Sequence, residues 1–95
     1  MKRHSPLFIP VYARWFADFA DGSKTVEFRP YGKRWNERVC WVDREAVISC
    51  GYNGRRLNAV VVNFEILCCH DAPIEFVNLF GNVDCAAITL RIVPG

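Results

Sequence analysis

Between Asp21 and Pro30 the chain reads "DGSKTVEFRP", which brings Lys24, Glu27 and Arg29 close together. An ammonium, a carboxylate and a guanidinium in one short segment can clamp an anion. Lys24 and Glu27 can also exchange a proton, which makes them the candidate catalytic pair. Arg29 adds a planar fork suited to phosphate or to a base edge. The charges alternate with Val26 and Phe28. Period-two alternation predicts a strand with Val26 and Phe28 on one face and Thr25, Glu27 and Arg29 on the other. Gly22 supplies the turn that leads into it.

Further cations follow with aromatic residues between them: Tyr31, Lys33, Arg34 and Trp35, then Tyr52, Arg55 and Arg56. Cations that follow a backbone and rings that stack on bases are the combination single-stranded nucleic acid binding uses. Tyr31, Lys33, Arg34, Trp35, Arg55 and Arg56 therefore join Lys24, Glu27 and Arg29 as candidate ligand-binding residues. Net charge is only +2, but residues 1–56 hold 11 Lys/Arg against 6 Asp/Glu, whereas residues 57–95 hold Arg91 against four acids. That asymmetry implies one face of positive potential.

Other chemistries have little support. His4 lies near the start and His70 beside Asp71, with no arrangement for Ser/His/Asp catalysis. Neither a phosphate loop nor a dinucleotide fingerprint is present. The five cysteines, Cys40, Cys50, Cys68, Cys69 and Cys85, include no C-x-x-C pair. "CCHD" places adjacent ligands that do not readily close a tetrahedral metal site, so neither metal nor cofactor is expected. Pro6, Pro10, Arg14 and Asp18 interrupt any signal-peptide core, and reduced thiols then fit a cytoplasmic protein. The longest apolar runs, "NAVVVNFEIL" and "DCAAITLRIV", fall short of the roughly 20 residues of a membrane span.

These 95 residues make one domain. "PLFIPVY" (6–12) predicts a short edge strand, because it carries two prolines. "ARWFADFADG" predicts a helix ended by Gly22, with Trp15, Phe16 and Phe19 in the core. "RVCWV" (38–42) and "AVISCGY" (46–52) read as strands, and "YNGRR" as a tight Asn-Gly hairpin turn. "LNAVVVNFEIL" predicts a long strand buried on both faces. "DAPIEFVNLFGN" predicts a short helix with Asp71 as N-cap and Gly81 as its stop. "CAAITLRIV" is the closing strand. The order β-α-β-β-β-β-α-β describes a small, mainly β, α+β barrel of five to six strands flanked by two helices.

The segment "GSKTVEFR", with a helix before it and "WNERVCWV" after it, resembles the ASCH family, whose pattern is Gly-x-Lys-x-x-Glu-x-Arg. Gly22, Lys24, Glu27 and Arg29 match its four fixed positions. The resemblance implies a barrel similar to the PUA domain of RNA-modifying enzymes. It also implies either nucleic-acid binding or catalysis. Some small members are amidohydrolases that remove acetyl from N(4)-acetylcytidine, and ribonuclease activity is described for others. Their catalytic lysine matches Lys24, but the threonine three residues on is replaced here by Glu27. Glu65 and Glu75 are available downstream, and neither is assigned to the family's distant glutamate. The resemblance thus implies a module that binds RNA or a nucleoside, with single-stranded DNA as a further partner. A hydrolase acting on RNA or a modified nucleoside is the alternative.

Overall fold

The computed structural model describes residues 5–94, so His4 lies outside the described residues. Five strands form one sheet in the order β1-β3-β4-β5-β2: β1 (Leu7–Val11), β2 (Val26–Pro30), β3 (Glu45–Cys50), β4 (Arg56–Leu67) and β5 (Cys85–Ile92). Helix α1 (Ala13–Asp21) joins β1 to β2, and α2 (Ile74–Phe80) joins β4 to β5. The β1–β3 pairing is parallel and the others are antiparallel. The sheet curls into a half-barrel that is open between its edge strands, β1 and β2. Among the described residues no helix is long and apolar enough to cross a membrane.

The core lies on the concave face. Leu7, Ile9 and Val11 of β1 meet Ala46 and Ile48 of β3, Ala59 and Val61 of β4, and Ala86, Ile88 and Leu90 of β5. Helix α1 closes one end with Phe16 and Phe19, each contributing about 1.5–3 kcal/mol by burial. Gly22 ends this helix in the left-handed region (φ 87°), and its amide donates to the Phe19 carbonyl. Trp15 packs against this core, as its spacing predicts, but is only half-buried.

Four expectations are overturned. Residues 38–42 form turns instead of a strand. The Asn36 Oδ1 accepts from the amides of Arg38 (2.9 Å) and Val39 (3.0 Å), and its carbonyl takes the Cys40 amide at 2.8 Å. This local capping wins over the β preference of Val39, Trp41 and Val42. The central valines of β4 are not buried on both faces. A bulge between Val61 and Asn63 leaves Val62 exposed.

The β3–β4 connection is a five-residue loop, Gly51–Arg55, in which Gly51 and not the Asn53-Gly54 pair takes positive φ. Gly54 is needed for close approach: a Cβ there would overlap the Cys50 carbonyl oxygen. Asp71 is not the cap of α2. Pro73 holds that position, and Asp71 accepts the Cys68 thiol at 3.4 Å.

Candidate functional site

Antiparallel pairing sets Glu27 opposite Ile88 and Arg29 opposite Ala86, so both charged side chains share the concave face with core residues. Val26 and Phe28 take the other face, as the alternation predicts. Glu27 is only 2% exposed. Its Oε2 accepts Arg29 Nε at 2.7 Å, and its Oε1 stands 3.8 Å from Lys24 Nζ. Burial pushes the Glu27 carboxyl above its ordinary range, although the Arg29 guanidinium and then Lys24 pull against that shift.

Arg29 is held from three sides. Besides Glu27 it donates from Nη2 to the Pro10 carbonyl of β1, bridging the two sheet edges. Its guanidinium also lies over the Trp35 ring, 4.9 Å from the centroid. Lys24 is equally confined. Nζ donates to the Val26 carbonyl at 2.6 Å and lies 5.3–5.4 Å from the ring centroids of Trp15, Phe19 and Phe28. The turn that delivers it is fixed by the Lys24 amide, which donates to the Asp18 carbonyl at 3.1 Å.

These three groups line a hollow of about 360 Å³ at the open side of the half-barrel. Pro10, Val11 and Tyr12 contribute from β1 and its end, Trp15 from α1, and Gly51 and Tyr52 from the β3–β4 loop. Helix α2 supplies Glu75, Phe76, Leu79 and Phe80, and Phe28 completes the wall. Lys24, Glu27 and Arg29 therefore do converge on one concavity, as the octapeptide predicts.

The remaining candidates do not join it. Trp35 is 8% exposed and packs in the core beneath Arg29, so it offers no free face for stacking. Tyr31 is half-buried against Phe64 and donates its phenol to Glu37 (Oε2 at 2.6 Å). Lys33 and Arg34 are exposed on the loop after β2 and do not line the hollow. Arg55 lies over Phe16 beside a separate shallow hollow, whereas Arg56 stacks on Phe8 and donates to the Tyr52 carbonyl. Of the two downstream glutamates, Glu75 lines the site, whereas Glu65 is exposed and accepts from Asn63.

The sequence reading missed most of the walls. Tyr12, Phe28, Phe76 and Phe80 read as ordinary apolar positions because periodicity reports which residues face inward, not which face a gap between elements. Compared with known proteins, the chain matches no family model and no curated sequence.

Proposed function

We propose that the protein binds a nucleobase, presented by RNA or as a modified nucleoside, in the hollow between β1, β2 and α2. One observation carries this reading: Glu27 is buried at the base of an aromatic-walled hollow, between a guanidinium and an ammonium. Ligand sites combine apolar walls with a few placed polar groups, and their volumes start near ~300 Å³. The hollow suits one planar ring system, and the exposed rings of Tyr12 and Tyr52 offer faces for stacking. Glu27 Oε1 lies beyond hydrogen-bond length from Lys24, which leaves it able to accept an N–H from a base edge. The ASCH resemblance of Gly22, Lys24, Glu27 and Arg29 and the mainly β half-barrel support the same reading, with a PUA-like fold as its framework.

Hydrolysis of RNA or a modified nucleoside is the second reading, favoured by Glu75 lining the same hollow as Lys24 and Glu27. Binding ranks first because the hydroxyls lining the hollow are the phenols of Tyr12 and Tyr52, and Thr25 is exposed away from the lining. A calorimetric titration with cytidine, N(4)-acetylcytidine, uridine, adenosine and short single-stranded RNA tests the proposal. Saturable binding that weakens in Tyr52→Ala supports it. Absence of binding to every one of these, or binding indifferent to Tyr52→Ala, overturns it. New product in the same samples moves the hydrolytic reading ahead.

A further inference from the structure

We infer that the occupant of the hollow is one base of a single polynucleotide strand, entering base first while Arg14 and Arg56 hold its phosphates at the mouth. This inference rests on the base-binding reading above. It starts from the cations at the floor, which are held by protein groups and balanced in part by the buried Glu27 carboxylate. Arg29 is committed to Glu27, to the Pro10 carbonyl and to the Trp35 face, and Lys24 to a carbonyl, a carboxylate and three rings. A phosphate driven inward would also meet the buried Glu27 carboxylate. The interior thus favours an uncharged ring and disfavours the backbone.

The rim has the opposite character. The Arg14 guanidinium lies over the Trp15 ring, 5.0 Å from the centroid, and Trp15 is a wall of the hollow. Arg56 lies 5.2 Å from the centroid of Phe8, donates to the Tyr52 carbonyl at 3.3 Å, and Phe8 packs beside the Tyr52 ring. Tyr52 is another wall. Both arginines are exposed, and the ion pairs among the described residues are confined to Lys24, Glu27 and Arg29. Neither is neutralised by a carboxylate of the described residues. Stacking holds a guanidinium in place while leaving in-plane N–H groups for an oxyanion. Arg55, over Phe16 beside a different hollow, has no such relation to the mouth.

The test compares wild type with R14A/R56A, with Arg91→Ala as a control for lost charge away from the site. Probes are the four ribonucleosides and mixed-sequence single strands of about eight nucleotides, as RNA and as DNA, which is within the site size of small single-strand modules. Two phosphate contacts steepen the logarithmic salt dependence by about 1.4, so a fourfold rise in salt weakens wild type about sevenfold more than the double variant. The inference expects strands to bind more tightly than nucleosides, with that excess lost in R14A/R56A and retained in Arg91→Ala. Nucleoside affinity falls less than strand affinity in R14A/R56A, because a nucleoside carries no phosphate for the two arginines to hold.

Tighter binding of either sugar type supports the proposal, and the preferred one identifies the strand. Equal affinity for nucleoside and strand, or strand binding untouched by R14A/R56A, overturns the rim inference and leaves the base-binding reading intact. Equal competition by polyglutamate also overturns it, since the rim would then be a general polyanion surface. No binding of any nucleoside or strand overturns both.

Discussion

Replacing Glu27 separates the two things its carboxylate does, which are to accept a hydrogen bond and to carry a charge. In Glu27→Ala, Arg29 Nε loses its 2.7 Å acceptor and Lys24 its neighbouring anion, both on side chains no more than 20% exposed. Breaking a buried ion pair from one side costs about 3–5 kcal/mol, and the residual exposure of both cations sets the expectation near the lower figure, about 3 kcal/mol. Glu27→Gln keeps an oxygen for Nε and removes only the charge, whose burial is already unfavourable enough to raise the carboxyl above its ordinary range. The expected loss is about 1 kcal/mol or less. For a domain of this size those losses correspond to falls of about 12–24 °C and no more than about 4–8 °C in Tm.

Urea unfolding followed by tryptophan fluorescence measures both variants. The same variants carry a pH signature. Because the folded state holds the Glu27 proton more tightly than the unfolded chain, its contribution to stability is fully present below the unfolded value. It is lost as pH rises through the raised folded value. The stability difference between wild type and Glu27→Gln should therefore shift against wild type as pH rises across that window, which lies at and above the ordinary glutamate range. Asp21 and Glu37, whose carboxyls are lowered by hydrogen bonds from Ser23 and Tyr31, work in the opposite sense but cancel in the comparison. If Glu27→Gln costs as much as Glu27→Ala, or if the difference moves in wild type's favour as pH rises, the reasoning about burial is wrong.

Gly54→Ala forces a methyl group into the Cys50 carbonyl and should cost about 1–3 kcal/mol in chemical denaturation, with Tyr52 displaced from the hollow. Asn36→Ala removes two amide caps and the 2.9 Å bond to the Gly32 carbonyl; a loss of about 1–2 kcal/mol and a red-shifted Trp35 emission are expected. Thiol labelling at neutral pH should modify exposed Cys68 first. Cys40 and Cys85, whose thiols burial pushes up to about 11, should react only on unfolding.

What the sequence made legible was local. Gly22 after an amphipathic segment marks the end of α1, and the alternation from Thr25 to Arg29 separates the two faces of β2 correctly. The convergence of Lys24, Glu27 and Arg29 followed from the same short segment. Features set by individual side-chain contacts, or by elements meeting in space, were not legible. Asn36 turns a stretch of β-forming residues into loop through its own side chain, and no period-two count registers that. Trp35 and Arg29 both read as available for a ligand, yet each covers the other, because a turn in which Gly32 and Trp35 exchange backbone hydrogen bonds folds the ring against the guanidinium. The hollow's walls come from four separate parts of the chain, so no single window contains their pattern.

The bridge from Arg29 to the Pro10 carbonyl also bears on solubility. The strands it joins are the two unpaired margins of the sheet, and such margins recruit strands from other molecules when they are free. Pro10 contributes no amide hydrogen to β1, and the guanidinium occupies one of its remaining acceptors. The residue that shapes the base of the hollow is therefore also a guard against aggregation, and its loss should first be seen as concentration-dependent self-association.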